Sequence, residues 1–296
     1  MLGIEILQKL SSPFFDMFFK IISMTAEQYF IFTLVAAYFW CGSKKRGEYF
    51  LLTVVSGLAL NNFLKDLFKI PRPFRKSPEL YTPDGTKEAG KLFAIYTETA
   101  TGYSFPSGHT QTSALTGSGL SIKRTRVFKI IALIYIVLVA LSRMYLGVHT
   151  FWDILAGAFA GIIFAIASFY FYNYIRVRKS SIWLLCYCGP AVLALIFAHD
   201  GDGFKMSGLA IGAVLGLYFQ NEYVNFEPDA AFLPGHLMKI VFGMAGSFAL
   251  IELPKILLGN IAGGGVLDFI RYFLCGAFVT LGLPLFTVFF TRKRKR

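Results

Sequence analysis

The segment ILAGAFAGIIFAIASFYFY, residues 154–172, contains no charged side chain. Similar apolar runs lie at Phe30–Trp40 and Ile130–Leu141. A helix that crosses the hydrocarbon core of a bilayer needs about 20 mostly apolar residues, and a segment inside lipid must pair its own backbone groups, as a helix does. The runs lack the alternating pattern of a membrane β-barrel. The sequence therefore predicts an all-α protein that crosses a membrane several times as a helical bundle.

The composition agrees with this class of protein. Hydrophobic residues make up 55% of the 296 positions, and the mean hydropathy is +0.58. Soluble domains are about 45–50% apolar even when glycine is counted. The net charge of +12 could indicate a nucleic-acid partner. The basic residues lie mostly in short loops between apolar runs, however, which is the pattern of membrane proteins, and we expect no nucleic-acid partner.

The apolar pattern predicts about nine membrane spans. They are Glu27–Cys41, Glu48–Phe68, Ser107–Ser121, Val127–Leu146, Trp152–Tyr174, Ile182–Ala198, Phe204–Phe219, Leu237–Leu253 and Val266–Phe290. Before them, Leu2–Ser23 is an amphipathic stretch, broken by Pro13, that is predicted to lie at the membrane interface. We therefore predict an interfacial segment at 1–26, a membrane core at 27–178, and further transmembrane helices with a basic tail at 179–296.

Basic loops predict the orientation of these spans. Four basic segments fall on one side, which the positive-inside rule makes cytoplasmic: Lys44–Arg46, Lys123–Arg126, Arg176–Lys179 and Arg292–Arg296. The remaining connections then face outward: Lys69–Tyr103, Gly147–Phe151, His199–Gly203 and Pro254–Gly265. The first of these is also basic, but long loops weigh less in the rule.

Three polar clusters stand at the ends of predicted spans: KDLFKIPRP at residues 65–73, PSGH at 106–109 and SRMYLGVHTFWD at 142–153. Charged residues at the ends of membrane spans cost free energy, so each of them is expected to have a function. In the topology derived from the basic loops alone, all three clusters reach the outer face of the membrane. This convergence predicts a single site.

The residue types in these clusters indicate a phosphate site. Lys65, Arg72 and Arg143 supply three positive charges, and arginine binds phosphate oxygens in a bidentate manner. Lys65 and Arg72 are seven residues apart, about two helical turns, and can share a face. Ser107 and Gly108 open a helix, where free N–H groups and the helix dipole favour an anion.

Two histidines and an aspartate add reactive chemistry. His149 and Asp153 are four residues apart and lie above one another on a helix. A carboxylate there can hold one ring nitrogen as N–H and leave the other free to attack. His109 is then the candidate general acid for the leaving oxygen. Each cluster alone has an ordinary explanation, such as a capped turn or a snorkelling side chain, but together they predict phosphoryl transfer.

The three clusters together resemble the signature of the type 2 phosphatidic acid phosphatase superfamily, over about Glu48–Phe171. Its patterns are Lys-x6-Arg-Pro, Pro-Ser-Gly-His and Ser-Arg-x5-His-x3-Asp, and every fixed position is matched. The resemblance implies a six-helix membrane core, a phosphohistidine at His149, protonation by His109, orientation of His149 by Asp153, and neither metal nor other cofactor. It implies that phosphate is bound by Lys65, Arg72, Ser107, Gly108 and Arg143.

The region from Ser181 onward extends beyond the minimal family core. Its glycine-spaced helix, with Gly208, Gly212 and Gly216, is followed by YVNFEP at 223–228. This layout is similar to the tail of sphingosine-phosphate phosphatases. Glycines at this spacing, and at Gly157 and Gly161, predict close packing of helices within the chain. The sequence Pro234–His236 is predicted to be a loop, and His199–Gly203 a solvated turn.

The predicted function is that of an integral-membrane phosphatase that hydrolyses a lipid phosphate monoester, with the bilayer and its lipid substrate as partners. We expect the cell membrane as the location and an active site on the non-cytoplasmic face. A lipid phosphotransferase and an undecaprenyl-diphosphate phosphatase are alternatives that use the same pocket. A transporter or scaffold is a different class, but the charges gather at one face and do not line the midplane. The sequence predicts neither the lipid nor the oligomeric state.

Overall fold

The computed structural model describes residues 2–82, 86–88, 90–97, 100–198, 201–228, 233–258 and 264–293. Within these ranges the α-helices are α1 (Leu2–Gln8), α2 (Pro13–Met24), α3 (Gln28–Cys41), α4 (Lys44–Phe68), α5 (Pro73–Lys76), α6 (Gly108–Ser121), α7 (Arg126–Tyr145), α8 (Phe151–Arg178), α9 (Gly189–Phe197), α10 (Gly201–Phe219), α11 (Leu233–Leu258), α12 (Gly265–Ala277) and α13 (Leu283–Lys293). These ranges hold no strand, only an isolated bridge between Tyr81 and Leu92. The predicted all-α class is confirmed.

Five helical segments in the described residues are long and apolar enough to cross a membrane. They are Lys44–Leu80, Arg126–Tyr145, Phe151–Arg178, Gly235–Leu258 and Gly265–Phe289. A sixth span results if α2 and α3, which meet at a bend of 45°, are counted together. The protein is therefore an integral membrane protein, while the nine spans and the six-helix core stay predictions.

Helix α6 differs in character from the long spans. It has 14 residues, and at 1.5 Å per residue such a helix is about 20 Å long, shorter than a bilayer core. Its buried side chains include Thr110, Gln111 and Ser113. Polar groups of this kind are stable when neighbouring protein surrounds them and satisfies their hydrogen bonds. We infer that α6 is a core helix that faces protein.

Contacts within the chain define two compact units, Met1–Ile31 with Leu64–Ile166, and Phe32–Phe63 with Ala167–Arg296. All predicted site residues belong to the first unit. Its core includes Phe19, Phe93 and Tyr145, and the Phe19 and Tyr145 rings lie 4.5 Å apart. The predicted division into regions 1–26, 27–178 and 179–296 stays a prediction.

The first unit also contains the amphipathic N-terminal segment. Ser12 caps α2 by accepting a hydrogen bond from the Phe15 N–H. One face of α2 is exposed and apolar, with Phe14 and Met17, whereas Phe19 is buried. The break at Pro13 is therefore the start of a helix. Placement of this segment at the membrane interface stays a prediction.

Helices α6 and α8 pack closely inside the first unit because glycines allow it. A Cβ atom on Gly157 would lie 2.6 Å from the Ser107 carbonyl oxygen, and one on Gly161 would lie 2.6 Å from that of Gln111. Any larger residue would push the two helices apart. The predicted close packing at these glycines is confirmed, and it holds the start of α6 against α8.

Glycines also allow α10 and α12 to pack closely in the second unit. Cβ atoms on Gly208 and Gly212 would lie within 2.3 Å of the carbonyl oxygens of Phe269 and Phe273, respectively. The prediction of a loop at Pro234–His236 is wrong, since α11 begins at Leu233 and proline is tolerated in the first turn of a helix. In the predicted turn His199–Gly203, His199 and Asp200 lie outside the described residues, and α10 begins at Gly201.

Candidate active site

A tight turn between α7 and α8 carries His149. Gly147 in this turn has a φ of +76°, which favours glycine. A Cβ atom there would lie 2.1 Å from the carbonyl oxygen of Phe93. The Val148 N–H donates back to the carbonyl oxygen of Arg143, so the turn is hydrogen-bonded to the end of α7. The glycine thus places His149, which is 1% exposed, directly before α8.

The start of α8 is capped by two reciprocal hydrogen bonds. The Thr150 N–H donates to Asp153 Oδ2 at 2.7 Å, and the Asp153 N–H donates to Thr150 Oγ1 at 3.4 Å. This arrangement is a capping box. The Ser107 N–H also donates to the Asp153 carbonyl oxygen at 2.9 Å. Asp153 therefore fixes the start of α8 and ties it to Ser107, which caps α6.

His149 has close polar neighbours on both sides of its ring. Its Nε2 atom lies 3.0 Å from Arg72 Nη1. Its Nδ1 atom lies 3.7 Å from Asp153 Oδ2, which exceeds a hydrogen-bond distance. The Ser104 hydroxyl lies 3.2 Å from Nδ1 and donates to Asp153 Oδ2 at 2.7 Å. The predicted His149–Asp153 pair is thus close, with Ser104 beside both members. The prediction that the pair shares one helix is wrong, however, because α8 begins only at Phe151.

Arg72 is buried and held by backbone carbonyl groups. Its Nη2 atom donates to the Thr101 oxygen at 2.6 Å, and Nη1 also approaches the Val148 oxygen at 3.4 Å. Burial lowers the pKa of His149, and the positive charge of Arg72 lowers it further. The His149 ring is therefore neutral near pH 7. A neutral ring is the form that can attack phosphorus.

Arg143 is fully buried at the end of α7. Its Nη1 atom donates to Ser23 Oγ at 2.5 Å. Its Nε and Nη2 atoms are buried and have no hydrogen-bond partner among the described residues. Glu27 and Tyr96, which hydrogen-bond to each other, act electrostatically on the guanidinium. Two unsatisfied donors on a buried cation indicate a place for an anionic ligand.

His109 stands in the first turn of α6. Its Nε2 atom is buried and, in the part of the chain that the structure describes, has no hydrogen-bond partner. Arg143, Lys65 and Arg72 all act electrostatically on this ring, as does His149. Lys65 lies in the last turn of α4 and is half-buried. The electrostatic effects of the three predicted cations and of His149 therefore converge on the His109 ring.

The start of α6 supplies further donors. The first N–H groups of a helix have no partner within it, and α6 begins at Gly108. The Ser107 N–H already donates to the Asp153 carbonyl oxygen, so Ser107 can offer its hydroxyl and Gly108 its N–H. The Ser107 hydroxyl accepts a hydrogen bond from Thr110 Oγ1 at 3.1 Å. The predicted phosphate ligands thus include two arginines, a lysine and a helix N-terminus within the first unit.

Sequence reasoning missed two residues of this site. Ser104 contacts the His149–Asp153 pair, and Ser23 contacts Arg143. Ser104 lies two residues before Pro106, in the sequence YSFPSGH, where a hydroxyl is an ordinary turn residue. Ser23 lies in an amphipathic helix remote in sequence from the three clusters. No spacing pattern distinguishes either serine.

These features define a helical membrane protein with a buried cationic site that holds two histidines. Two family models match the chain: PAP2 superfamily over residues 47–177, and PAP2 superfamily phosphatase, transmembrane extension, over residues 204–295. Together they match well over half of the chain. The chain belongs to the PAP2 superfamily, and the resemblance drawn from the three clusters is confirmed.

Similar proteins carry related names. A dihydrosphingosine 1-phosphate phosphatase of Schizosaccharomyces pombe is 23% identical over 79% of this chain. The match spans 60% of that relative's own length. A Dictyostelium discoideum protein named as a probable sphingosine-1-phosphate phosphatase is 25% identical over 87% of this chain and 67% of its own length. The crystal structure of Aquifex aeolicus LpxE is 25% identical, with a TM-score of 0.46 over 56% of this chain and 92% of that one.

Proposed function

We propose that this protein is a lipid phosphate phosphatase that hydrolyses a phosphate monoester through a phosphohistidine at His149. The observation that carries the proposal is a pair of unpartnered groups, on Arg143 and His109, that interact electrostatically with that ring. Arg143 has two buried donor atoms, and His109 has a buried ring nitrogen, without a partner among the described residues. A phosphate between them would satisfy the donors and neutralise the cations.

The cations would bind the phosphate before any bond changes. Arg143 offers Nε and Nη2 side by side, the fork that matches two phosphate oxygens. Arg72 would turn its Nη1 donor from His149 to a phosphate oxygen as substrate enters, which would free the Nε2 lone pair. Lys65 and the N-terminus of α6, at Ser107 and Gly108, would take further oxygens. These contacts would stabilise the charge of the five-coordinate transition state.

The bond changes then follow from the two histidines. His149 Nε2 would form a bond to phosphorus while the bond to the lipid oxygen breaks. His109, which would take up a proton when the negative charge of the bound phosphate offsets the nearby cations, would donate that proton to the departing alkoxide. Water would then attack the phosphohistidine, with His109 taking the water proton, so that inorganic phosphate leaves and both rings are restored. No external oxidant or metal takes part in this sequence.

The substrate class follows from the membrane setting and from the relatives. A phosphate site within membrane helices suits a lipid headgroup. One relative is named as a dihydrosphingosine 1-phosphate phosphatase, and the other as a probable sphingosine-1-phosphate phosphatase. We therefore propose sphingoid-base phosphates as the first substrates to test. We also propose that the site opens on the non-cytoplasmic face, from the distribution of basic loops.

A phosphate-release screen of the purified full-length protein tests the proposal. Its substrates are sphingosine phosphate, lysophosphatidate, phosphatidate, phosphatidylglycerophosphate and isoprenyl diphosphates. We expect release from at least one lipid monophosphate, and none from the His149→Ala variant. Radioactive phosphate that appears in a second lipid instead of in water would indicate a phosphotransferase. Release by His149→Ala at the wild-type rate would refute the proposal.

A further inference from the structure

The Ser104 hydroxyl occupies the space between the nucleophile candidate and its carboxylate. His149 Nδ1 and Asp153 Oδ2 are 3.7 Å apart, too far for a direct hydrogen bond. Ser104 Oγ is within hydrogen-bond distance of both, at 3.2 and 2.7 Å respectively. The carboxylate can therefore act on the ring through the hydroxyl.

The chemistry of the three groups fixes the direction of each hydrogen bond. An ionised carboxylate only accepts, so the Ser104 proton points to Asp153. A hydroxyl whose proton is used in this way can only accept from His149. The Nδ1 atom of His149 must then carry the ring proton.

The contact between Arg72 and the opposite side of the His149 ring requires the same tautomer. The Arg72 guanidinium has donors and no acceptor, and its Nη1 atom lies 3.0 Å from His149 Nε2. Nε2 must therefore accept and carries a lone pair. Two independent neighbours, a serine on one side and an arginine on the other, thus assign Nδ1–H and a free Nε2 to the neutral ring.

We propose that Ser104 is a positioning residue that transmits the orientation set by Asp153 to His149. Its role in phosphoryl transfer depends on the proposed function, whereas its hydrogen bond with Nδ1 does not. When Nε2 bonds to phosphorus, the ring becomes positive and Nδ1 keeps its proton. The Ser104 oxygen, polarised by the carboxylate, would stabilise that charge and hold the ring in line with phosphorus.

The proposal separates two roles of Asp153. The same carboxylate oxygen caps α8 through the Thr150 N–H, so replacing Asp153 disturbs the helix start as well as the ring. Replacing Ser104 leaves the capping box intact and removes only the link to His149. Ser104 is therefore the residue at which the relay can be tested alone.

The variants are Ser104→Ala, Ser104→Cys and Ser104→Thr, with Ser113→Ala as the matched control. Ser113 is also a buried serine of the first unit, but its hydroxyl donates to the Thr110 carbonyl oxygen within α6. Full-length protein is labelled with ¹⁵N-histidine in detergent, and the His149 signal is identified by its loss in His149→Gln. Ring-nitrogen spectra report the tautomer and the hydrogen bond at Nδ1, and p-nitrophenyl phosphate reports kcat and KM.

Because Arg72 fixes the tautomer from the other side of the ring, we expect Nδ1–H in every variant. The Nδ1–H signal should shift in Ser104→Ala and Ser104→Cys, where its acceptor is lost or weakened, and should keep the wild-type position in Ser104→Thr and Ser113→Ala. The kcat of Ser104→Ala should fall about 10- to 100-fold with little change in KM, and Ser104→Thr should recover most of it. If Ser104→Ala does not fold, Ser104→Cys, which is nearly isosteric, provides the same comparison. An unchanged Nδ1–H signal together with an unchanged kcat in the folded Ala or Cys variant would overturn the relay. A wild type that shows the Nδ1–H tautomer but hydrolyses no phosphate ester would instead overturn the proposed function and leave the tautomer assignment in place.

Discussion

The Nη1 atom of Arg72 lies 3.0 Å from Nε2 of His149. This contact joins a permanent cation to the nitrogen that we propose as the nucleophile. Together with burial, the larger cause, the charge of Arg72 holds the pKa of His149 below its ordinary value of about 6.5. Since the folded chain resists this protonation and the unfolded chain does not, its stability should fall as the pH drops below about 6.5.

The first prediction concerns that pKa. Arg72→Gln should raise the pKa of His149, because it removes the nearest positive charge while burial remains. An NMR titration of ¹⁵N-histidine-labelled protein between pH 3 and 8 measures the change, because the pKa of His149 in the wild type is about 3. The matched control is Arg75→Gln, since Arg75 is exposed and stacks over the Phe74 ring. Identical titrations of His149 in the two variants would show that Arg72 does not act on the ring.

The second prediction distinguishes a defined phosphate pocket from diffuse surface charge. Arg143→Gln should lower kcat/KM about 100-fold or more, as the loss of a buried transition-state donor does. Arg143→Lys keeps the charge without the fork and should recover only part of this. Lys87→Gln and Lys91→Gln are the controls, because these exposed side chains pair with Asp16 and Glu88. Their effects should stay within about twofold, owing to screening by salt.

Steady-state kinetics on p-nitrophenyl phosphate, with circular dichroism as the folding check, compares the four variants. Equal losses in Arg143→Gln and Lys87→Gln would mean that binding depends on overall charge.

The sequence predicted those parts of the site that have a fixed spacing. The prediction that Lys65 and Arg72 share a helical face is wrong, because α4 ends at Phe68, and His149 likewise lies before α8. The short separations in sequence still place each pair in the site, because the turns at the helix ends keep both members near the same helix terminus. Ser104 and Ser23 could not be found this way. Each reaches its partner through the folding of a loop or a separate helix, and a serine has many ordinary uses in such places.

The fold was predictable to the same extent. Long apolar helices such as α7 and α8 follow directly from hydropathy. The short helix α6 was also predicted, at Ser107–Ser121, but as a membrane span. Hydropathy does not show that its threonines and glutamine are buried among protein neighbours. The capping box of Thr150 and Asp153 was also not predicted from the sequence, because the proximity of Asp153 to His149 alone explained the aspartate.

The third prediction concerns metal ions. The site binds phosphate through cations in our proposal, and the described residues contain no group of three His, Cys, Asp or Glu side chains that could hold a metal ion. Activity should therefore persist in excess EDTA, and vanadate, which mimics five-coordinate phosphorus, should inhibit. Phosphate release before and after chelation measures this. A loss of activity that magnesium restores would contradict the metal-free mechanism.

The fourth prediction separates the second unit from the chemistry. Glu222 is exposed in the π-helical turn Gln220–Val224, and all site residues lie before residue 154. Glu222→Gln should leave hydrolysis of p-nitrophenyl phosphate nearly intact, whereas the choice among lipid phosphates can change. The same is expected of Asp229→Asn, although Asp229 lies outside the described residues. A collapse of the simple activity in folded protein would place catalytic groups in this region.

The fifth prediction is that replacing His149 and replacing His109 have different effects on activity. His149→Ala removes the proposed nucleophile and should abolish turnover of every substrate. His109→Ala removes only the proton donor, so it should lose far more activity on an alkyl phosphate than on p-nitrophenyl phosphate, whose leaving group departs as an anion. With p-nitrophenyl phosphate, His109→Ala should also accumulate labelled phosphoenzyme, because the base that activates the attacking water is gone. Both substrates are measured with both variants in detergent, after each is shown to be folded. Equal losses on the two substrates in His109→Ala, or acid-labile phosphate still trapped by His149→Ala, would mean that the roles assigned to these rings are wrong.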